Sequence, residues 1–447
     1  MFQEDIYMQT ILFQKEVPVI GHYHTIVCGG GAAGWVAAVA SARQGKKTAL
    51  IEKFSFLGGT ATAGLVVPLS GCYHKEKRVV GGICWEFIKE MEKLGAAQIE
   101  LPKGHVSFDP EVYKLIAWRM VRDAGVDIYS NAYLSGFKKD GRRLTHVIIE
   151  SKNGAEALSG DMFIDATGDA DLCHMADVPM MPVEKELQPM SMCFVLGNVD
   201  LSTDLLKNHI HHDGVTCKQS VHTGIHAYLD EVSQSEYVPQ FGGPWVNTTM
   251  GDNLIAVNIT RTAGNGADRE SLTESEYKMR EAAFRIVELL RARYDEFKHC
   301  TIVSTAIQAG IRETRRIQGI KPAIGQEMLD NVIPYDSIAC CAHPMDIHSA
   351  TDNSQILMHL PTPGHIPYRA LVPSEYDNLW AAGRCISADR ASYASIRVQA
   401  TLMAIGEAAG IAAAMCDETT AAKDVDIPAL HEKLRAANAI FMAADAQ

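Results

Sequence analysis

Hydrophobic and polar positions near the amino terminus follow the order strand, turn, helix and strand. Residues 24–28 form a short β-branched run, glycines follow, an alanine-rich stretch continues to about Gln44, and residues 48–51 are apolar again. These features predict a strand, a tight turn, a helix that ends at Gly45, and a second buried strand. The pattern is that of one βαβ unit.

Helical spacing of apolar residues recurs further along the chain. It predicts helices over residues 82–94 and 275–296, and one that begins at Asp109-Pro110 and ends before Gly125. Residues 126–164 instead alternate as strands do, with turns at 139–141 and 153–154. This alternation predicts a small meander. It leads into residues 165–169, a strand end of the kind that borders ligands in doubly wound folds.

The pattern of apolar and polar residues changes at about residue 190, which indicates a second domain inserted into the first. Residues 191–200 and 254–261 are strand-like, and the long helix follows them. The chain then returns to the first domain. This last part contains a strand that ends at Gly383-Arg384 and a predicted helix over residues 396–415. The predicted boundaries are an N-terminal arm at 1–21, a discontinuous first domain at 22–189 and 335–420, an inserted α+β domain at 190–334, and a C-terminal helical tail at 421–447.

Three glycines in the first turn carry the clearest chemical signal. Gly29, Gly31 and Gly34 fit the spacing G-x-G-x-x-G, and Glu52 closes the second strand. In this arrangement the first glycine permits the turn, the second lets the backbone approach a pyrophosphate, and the third lets helix and strand pack closely. The helix N-terminus would stabilise the pyrophosphate, and the carboxylate would accept from a ribose hydroxyl. The stretch is predicted to bind an adenine dinucleotide; the alternative is an ordinary βαβ turn without a ligand.

The second strand end that carries a glycine, at Gly383-Arg384, precedes the helix predicted at residues 396–415. A helix dipole aimed at the same cofactor would stabilise the negative charge that develops on a reduced flavin ring. The pattern therefore favours a flavin enzyme over a simple NAD enzyme.

Clustered basic residues provide candidate chemistry. If residues 312–316 are helical, Arg312 shares a face with Arg315 and Arg316 at spacings of three and four. Such a cluster needs an anion to neutralise it, which suggests an anionic substrate. A solvated or ion-paired surface face is an equally good interpretation.

Two polar segments on predicted loops add groups that combine proton transfer with anion binding. One contains Asp346 and His348, and the other contains His365, Tyr368 and Arg369. The predicted catalytic residues are His348, Arg312, Tyr368, Arg369 and His365.

Composition limits the classes of protein and partner. The 447 residues are 47% hydrophobic and 21% charged, and the formal net charge is −13. These values are typical of a globular chain of two or three domains and offer no basic face to nucleic acid. The chain contains no run of about eighteen apolar residues, so no membrane span is expected. Eleven cysteines without a C-x-x-C pair predict a reduced, cytoplasmic protein.

Two further features invite a metal or redox interpretation that their spacing does not support. His209, His211 and His212 lack a matching carboxylate or cysteine pattern, which favours a solvated loop and no metal site. Cys340 and Cys341 are adjacent, and two small apolar side chains in the core are the favoured interpretation.

Four ordered motifs, together with the glycine fingerprint, resemble one branch of a known family. They are FLGGTAT at 56–62, DATGD at 165–169, GIRETRRIQG at 310–319 and AGRCISA at 382–388. From about residue 20 to residue 415, the chain is similar to the FAD-dependent oxidoreductases of the glutathione-reductase-like flavoprotein superfamily. The resemblance implies an α/β fold: a Rossmann-like FAD-binding domain of the glutathione-reductase type with an inserted α+β substrate or cap domain.

The resemblance also implies which residues bind FAD. The first turn and Glu52 would bind the ADP half, the loop after Phe56 and the DATGD segment would border the pyrophosphate and ribityl chain, and the last motif would approach the flavin. The residues implied are Gly29, Gly31, Ala32, Ala33, Gly34, Glu52, Lys53, Gly58, Gly59, Thr60, Ala61, Asn131, Ala132, Ala166, Thr167, Gly168, Asp169, Gly383, Arg384, Ile396, Arg397 and Val398.

The expected activity is hydride transfer between a small polar, anionic substrate and the flavin. Arg312, Arg369 and Arg315 would bind the acidic groups of the substrate, and a histidine or Tyr368 would move the proton. One alternative is a fumarate-reductase-like reduction of a carbon–carbon double bond, in which an arginine delivers the proton. Another is a non-catalytic flavin-binding protein. The expected partner is a small molecule, with no nucleic acid and no membrane, and a homodimer is left open.

Overall fold

The structure is a computed structural model that describes residues 11–100, 104–183, 186–203, 228, 245–251, 253–350 and 355–447. Residues 1–10 of the predicted arm, and His209, His211 and His212, lie outside the described residues. The α-helices of the described part are α1 (Ala32–Arg43), α2 (Gly82–Lys93), α3 (Pro110–Asp123), α4 (Asp171–Met175), α5 (Arg269–Arg293), α6 (Gly325–Leu329), α7 (Arg390–Ile396), α8 (Gln399–Met415) and α9 (Ile427–Ala436). Its strands are β1 (Val19–Cys28), β2 (Thr48–Glu52), β3 (Tyr73–His74), β4 (Lys77–Arg78), β5 (Ala97–Glu100), β6 (His105–Phe108), β7 (Asp127–Ser130), β8 (Tyr133–Asp140), β9 (Arg143–Ser151), β10 (Gly154–Asp165), β11 (Phe194–Gly197), β12 (Trp245–Thr248), β13 (Ile255–Asn258), β14 (Thr301–Thr305), β15 (Ser337–Cys341), β16 (Met345–His348), β17 (Gln355–Met358), β18 (Gly364–Pro367) and β19 (Leu379–Ala381).

A seven-stranded sheet organises the first domain and gives the mixed α/β fold with a Rossmann-like parallel sheet. Its order is β7-β2-β1-β10-β9-β8, and β19 pairs with the carboxyl-terminal part of β10. β7, β2, β1, β10 and β19 are parallel, whereas β8 and β9 are antiparallel to their neighbours. The carboxyl ends of the parallel strands therefore meet at one edge, which is where such sheets bind ligands.

Two strands differ from the sequence prediction. Residues 127–130, expected within the meander, form β7, which pairs in parallel with β2, and Asn131 at φ +56° follows it. β1 begins at Val19, so the last residues of the predicted arm are already part of the sheet, where they pair with β10. Alternation alone does not distinguish a meander strand from the edge strand of a parallel sheet.

Helices cover one face of the parallel strands with the larger core, and a second core lies against the other face. The larger core includes Trp35 of α1, Phe87 of α2 and Tyr113 of α3, and the C-terminal α9 joins it through Leu430 and Leu434. A second core contains apolar residues of β9, β10 and α4. The two cores hold the parallel strands between them.

In the larger core, the backbones of α1 and α8 approach each other closely. A Cβ at Gly406 would lie 2.1 Å from the carbonyl oxygen of Ala33, and one at Gly410 would lie 2.2 Å from that of Ala37. Only glycine allows the two backbones to approach this closely. The helix that begins at the glycine turn is thus fixed by a helix from late in the sequence.

The inserted region contains a separate antiparallel sheet of order β12-β13-β11-β14, on which α5 packs through Ile286 and Leu290. The helix begins at Arg269, earlier than the predicted residue 275, because Asp268 caps it by accepting from the backbone N–H of Ser271 at 2.7 Å. It ends at Arg293.

The helix predicted over residues 396–415 is present as α8, which begins three residues later than predicted, and a separate helix, α7, precedes it. α7 ends at Ile396, α8 begins at Gln399, and the two axes differ in direction by 94°. No single helix of the described part is long and apolar enough to cross a membrane, and only this bent pair meets the length and composition criteria together.

Candidate cofactor-binding and active site

In the glycine turn between β1 and α1, two glycines have no room for a Cβ atom and one has free space beside it. Gly29 has φ +102°, and a Cβ there would lie 2.5 Å from the carbonyl oxygen of Ala166. A Cβ at Gly34 would lie 1.8 Å from the carbonyl oxygen of Gly29. At Gly31, in contrast, the nearest atom to an added Cβ is the Cα of Gly59 at 3.9 Å. The backbone at Gly31 therefore faces free space.

The amino terminus of α1 begins at this open position. Gly31 is the N-cap and supplies no side-chain cap, so the N–H groups of the first turn lack intrahelical partners. The second glycine loop closes over the turn, with the N–H of Gly58 donating to the carbonyl oxygen of Gly30 at 2.9 Å and the 3-10 turn Gly59–Ala61 following. Free N–H groups and the positive end of a helix dipole form an anion-binding position.

Glu52 is fixed at the end of β2 by two backbone donors. The N–H of Gly30 donates to Oε2 at 2.6 Å, and the N–H of Phe54 donates to Oε1 at 2.9 Å. Burial raises the pKa of Glu52, while these hydrogen bonds oppose the rise. Ala132, just after β7, donates its N–H to the carbonyl oxygen of Glu52 at 3.1 Å. Each carboxylate oxygen retains a lone pair for a further donor such as a hydroxyl.

Three separate segments meet at Asp169. Its Oδ1 accepts from Nη2 of Arg384 at 3.1 Å and from the hydroxyl of Thr314 at 2.6 Å. Gly168, at φ +84°, allows this contact, since a Cβ there would lie 2.8 Å from the Arg384 guanidinium. The Nη1 atom of Arg384 is buried and has no hydrogen-bond partner in the described part of the chain. The DATGD, RETRR and AGRC segments thus converge and leave one donor for a ligand.

A cleft follows the carboxyl edge of the parallel strands. The residues implied by the resemblance that line it are Gly29, Gly31, Ala32, Ala33, Glu52, Lys53, Gly59, Thr60, Ala132, Ala166, Thr167, Gly168, Asp169, Gly383 and Arg384. The implied residues outside its lining are Gly34, Gly58, Ala61, Asn131, Ile396, Arg397 and Val398. Lining residues that the sequence did not indicate include Phe54, Tyr133, Leu134, Asp171, Gln308, Ala309, Ile311 and Leu402.

Directly after Ile311, the chain enters a buried polar cluster. Arg312 is 8% exposed and donates from Nη1 to the carbonyl oxygen of Pro189 and to the hydroxyl of Ser191, both at 2.8 Å. The segment is not helical, and Gly310 pairs with Ser191 in an isolated bridge. Arg312 therefore lies one residue beyond the wall of the cleft.

His348, at the end of β16, belongs to the same cluster. Its Nε2 lies 3.0 Å from Oδ2 of Asp346, which also accepts from Nη2 of Arg397 at 3.3 Å. Burial acts to raise the pKa of Asp346, but the hydrogen bond with His348 and the charge of Arg397 hold it well below its usual value. Burial and the charges of Arg312 and Arg261 lower the pKa of His348 to about 3. Because the ionised carboxylate binds Nε2–H, the basic atom of this neutral imidazole is Nδ1.

Arg261 joins the cluster from the inserted region, and the sequence reasoning missed it. It is 8% exposed, follows β13, and donates from Nη1 to the hydroxyl of Ser191 and to the side-chain oxygen of Asn258, the latter at 3.2 Å. Burial and the charge of Arg312 lower its pKa well below the usual value. The available signal was an arginine directly after an apolar strand, where burial of a charge requires a partner.

The remaining candidate catalytic residues lie elsewhere, and none of them lines the cleft within the described residues. Tyr368 is buried and its hydroxyl accepts from the indole N–H of Trp380 at 2.8 Å. Arg369 donates to both carboxylate oxygens of Asp336, at 2.8 and 3.2 Å. His365 is buried beside a serine hydroxyl at 3.0 Å, and burial lowers its pKa. These contacts connect β15, β18 and their neighbours.

The basic motif does not form the helical face that was considered as one possibility. Residues 311–316 form no helix, so the three arginines do not share a helical face. Arg316 pairs with buried Glu313 at 3.1 Å, and Arg315 pairs with Asp171 at 2.6 Å. Of these three arginines, Arg312 enters the polar cluster.

Two features of the described residues bear on metal and thiol chemistry. No group of three His, Cys, Asp or Glu side chains there is arranged to hold a metal ion. Cys340 and Cys341 are both fully buried in β15.

One comparison with known proteins, the match to a family model, covers most of the chain. A family model described as FAD dependent oxidoreductase matches residues 25–434. Over 63 residues, the chain is 38% identical to dihydrolipoyl dehydrogenase from Trypanosoma brucei brucei, a match that spans 14% of this chain and 13% of that protein.

Similar solved structures include a geranylgeranyl bacteriochlorophyll reductase-like protein from Thermoplasma acidophilum, at 13% identity and a TM-score of 0.48, covering 93% of this chain and 83% of that one. The flavin-dependent brominase Bmp2 is 11% identical with a TM-score of 0.48, covering 89% and 81%. A flavoprotein/dehydrogenase from Cytophaga hutchinsonii is 13% identical with a TM-score of 0.45, covering 88% and 78%.

Proposed function

We propose that this chain, which belongs to the FAD-dependent oxidoreductase family, transfers a hydride between a small polar, anionic substrate and the flavin. The observation that carries the proposal is the buried cluster of Arg312, His348 and Asp346, which begins directly beyond Ile311 in the wall of the cleft. FAD supplies the hydride chemistry when bound, and the chain supplies binding, orientation and proton transfer.

The described residues fit FAD. The turn is open at Gly31 beside the free N–H groups of α1, and Nη1 of Arg384 is a buried donor without a partner in the described part. In the order of the sheet, the cleft passes from Glu52 after β2 to Gly383 after β19, and an elongated dinucleotide needs such a course. Glu52 and the first turn hold the ADP half, and Asp169 and Arg384 border the pyrophosphate and ribityl chain.

We also propose that, within the family, the chain belongs to the glutathione-reductase-like branch described above. The support is spatial as well as sequential. The motif segments at 56–62, 165–169, 310–319 and 382–388 all contribute residues to the same cleft.

The polar cluster divides binding and proton transfer between different side chains. Arg312 binds the acidic group of the substrate, because its guanidinium is buried and its charge persists at neutral pH. His348 accepts the proton at Nδ1, since Nε2–H is directed at Asp346. Arg397 fixes Asp346 and thereby the orientation of the imidazole.

A second candidate is reduction of a carbon–carbon double bond in an unsaturated acid. It is favoured by one observation: burial and the charge of Arg397 lower the pKa of Arg312 to about 10, which makes this arginine a better proton donor. In that reaction Arg312 delivers the proton, and His348 is not required for proton transfer.

Anaerobic reduction of the purified yellow protein tests the proposal. A panel of hydroxy acids, amino acids, sugars and unsaturated acids is added, and bleaching of the flavin absorbance identifies the substrate class. Arg312→Ala and His348→Ala should lose turnover by about 100-fold or more while FAD remains bound. Arg269→Ala and His299→Ala, exposed positions of the inserted region, serve as controls.

The outcomes separate the candidates. Wild-type rates in both cluster variants would contradict the assignment of these residues. Oxidation of reduced flavin by an unsaturated acid in His348→Ala, but not in Arg312→Ala, would favour the second candidate. A protein that stays colourless after reconstitution with FAD would contradict the proposal altogether.

A further inference from the structure

Two adjacent residues, Gln188 and Pro189, contact both residues on which the proposed function depends. The carbonyl oxygen of Pro189 accepts from Nη1 of Arg312 at 2.8 Å. The side-chain Oε1 of Gln188 accepts from the backbone N–H of His348 at 3.3 Å. The distance between the guanidinium and the imidazole therefore depends on where these two residues lie.

A buried carboxylate fixes their position. Glu313 is 2% exposed, and its Oε2 accepts from the backbone N–H of Gln188 at 3.1 Å. Pro189 has no N–H of its own, so this bond is the one backbone donation that the two residues can make. Glu313 also follows Arg312 directly in the chain. It is thus linked to Arg312 through the backbone and to His348 through the side chain of Gln188.

Arg316 holds the carboxylate in turn. Its Nη2 lies 3.1 Å from Oε1 of Glu313, and the two side chains are 3% and 2% exposed. Its Nη1 donates to the carbonyl oxygen of Ala388 at 2.9 Å, and its guanidinium lies 4.9 Å from the ring centroid of Tyr393 in α7. The hydroxyl of Tyr393 donates to the carbonyl oxygen of Arg312 at 2.5 Å. The network therefore closes on the residue next to Glu313.

A buried ion pair is a weak means of stabilising a fold. The loss of hydration of both charges offsets their attraction, so replacement of such a pair by apolar side chains is often neutral for stability. An apolar pair could not, however, accept from the N–H of Gln188 or donate to the carbonyl oxygen of Ala388. What this pair supplies is direction, and Arg312 and His348 are the residues whose direction depends on it.

We propose that Glu313 is a positioning residue that sets the distance between Arg312 and His348 through Gln188 and Arg316. The inference rests on the proposed function, in which the guanidinium binds the acidic group of the substrate and the imidazole accepts its proton. Both groups must reach one small molecule at the flavin, so a displacement of about 1 Å in either group lowers the rate by up to about 100-fold. Glu313 acts through these groups and is not among the residues that line the cleft.

Removal of the whole pair separates positioning from stability. Glu313→Leu/Arg316→Met leaves no buried charge without a partner, so we expect it to fold and to bind FAD. With the compound of the panel above that bleaches the flavin, kcat should fall by about 10- to 100-fold and KM should rise. A pair that served stability alone would leave kcat at the wild-type value in the folded protein. Lys321→Met/Glu327→Leu, at a partly exposed ion pair of 3.1 Å outside this network, is the control.

Gln188→Met tests the link to His348 by itself. It removes the acceptor of the His348 N–H and leaves the charges and the carbonyl oxygen of Pro189 in place. We expect kcat to fall by about 10-fold with KM nearly unchanged, because Arg312 keeps its contact. This variant decides the question if the double variant does not bind FAD.

Hydrogen exchange of the FAD-loaded protein provides a measurement that needs no substrate. The backbone amide of His348 should exchange about 10-fold faster or more in both variants than in wild type, whereas the amides of β9 should not change. The thermal unfolding midpoint of each variant shows whether the whole fold has been weakened.

The results distinguish the inference from the proposed function. Wild-type kcat in an FAD-loaded Glu313→Leu/Arg316→Met protein, or unchanged exchange of its His348 amide, would overturn the inference, and so would wild-type kcat in Gln188→Met. Faster exchange in the double variant of a protein whose flavin no compound reduces would instead contradict the proposed function and keep Glu313 as the residue that positions His348.

Discussion

Gly31 and Gly34 lie three residues apart, yet an alanine at each should have a different effect. At Gly31 an added Cβ has 3.9 Å to its nearest neighbour, so the apoprotein should fold normally. The methyl group would, however, occupy the space next to the free N–H groups of α1. We expect Gly31→Ala to weaken FAD binding by about 10-fold or more, measured by fluorescence titration of the apoprotein.

Gly34→Ala is the matched comparison. Its Cβ would lie 1.8 Å from the carbonyl oxygen of Gly29, so the helix must move away from the turn. We expect a loss of about 3 kcal/mol in the free energy of unfolding of the apoprotein, measured by urea denaturation. An apoprotein of Gly31→Ala that is equally destabilised would contradict the distinction between the open and the closed glycine.

Stability should decrease in mild acid because of His348. Its pKa is lowered from 6.5 to about 3 by burial and by Arg312 and Arg261, so the folded chain excludes a proton that the unfolded chain binds. The stabilising effect is complete above about pH 6.5 and is lost as the pH falls toward 3. Between pH 7 and pH 5 we expect this histidine to account for a loss of about 2 kcal/mol.

The measurement is urea denaturation of the apoprotein at both pH values. His348→Asn should show a smaller pH dependence than wild type, whereas His22→Asn, at an exposed position, should match wild type. The groups that face the imidazole are Asp346 and Arg397 besides the two arginines, and the hydrogen bond with Asp346 opposes the lowering of the pKa. An unchanged slope in His348→Asn would show that another group titrates.

The glycines could be predicted from the sequence because their role depends on the local backbone. Gly29, Gly31 and Gly34 act within a single turn, and their spacing alone states the requirement. Arg312 was identified for its charge, but the direction of its side chain was not, because a segment without helical structure replaced the helix that was considered. Arg261 was missed because its partner Ser191 lies far away in sequence and is brought to it only by the pairing of two segments of the inserted region, where Met190 forms a bridge with Thr262.

Among the elements, α8 carries an acid that caps another helix. Glu407 is 2% exposed, and its Oε2 accepts from the backbone N–H of Ile83 in the first turn of α2 at 3.1 Å. Burial raises the pKa of Glu407 to about 8. The ionised form is therefore disfavoured in the folded chain, and stability is lost as the pH rises from about 4.5 to about 8.

Glu407→Gln should remove this pH dependence, since an amide oxygen still accepts from Ile83 and cannot ionise. At about pH 9 we expect the variant to be more stable than wild type by about 3 kcal/mol, and the difference should shrink toward about pH 5. Glu432→Gln, at an exposed position of α9, is the control. A Glu407→Gln variant that is less stable than wild type at pH 9 would contradict the assignment of the raised pKa.

Local signals decided which helices could be predicted. α3 begins at Pro110 as expected, because Asp109 caps it by accepting from the N–H groups of Glu111 and Val112. The bend between α7 and α8 contains no glycine or proline, so the sequence gives no signal for it. It depends on distant contacts, such as the donation from the Gln399 amide to the carbonyl oxygen of Val66 at 2.7 Å.

For the whole molecule, Asp169 is the point at which three distant segments are joined. Asp169→Asn keeps an oxygen for Thr314 but removes the counter-charge of Arg384, whose side chain is 12% exposed. We expect a loss of about 3 kcal/mol in the free energy of unfolding, because a buried charge is left uncompensated. The affinity for FAD should also fall, because Arg384 lines the cleft.

Urea denaturation with and without FAD measures both effects. Asp177→Asn, at an exposed aspartate after α4, controls for the loss of charge. If Asp169→Asn weakened FAD binding without loss of stability, the contact would serve the ligand rather than the joining of the segments.

The arrangement of the parallel strands followed from the glycine fingerprint, because strand ends that share a cofactor must share an edge. The assignment of β7 did not follow from the sequence. Asp127–Ser130 has the same alternation whether it continues a meander or pairs with β2, and only the completed sheet distinguishes the two. The strands of the inserted sheet could be predicted from their sequence pattern. The contact between this region and Arg312 could not.

The contact of Gly406 and Gly410 with Ala33 and Ala37 has a consequence for the newly made chain. The glycine turn and its helix emerge from the ribosome early, whereas the helix that fixes them emerges late. Until α8 is available, α1 exposes a stripe of alanines with no partner, and the dinucleotide site lacks the backing that keeps its turn rigid. Cofactor capture is therefore a late event in biosynthesis.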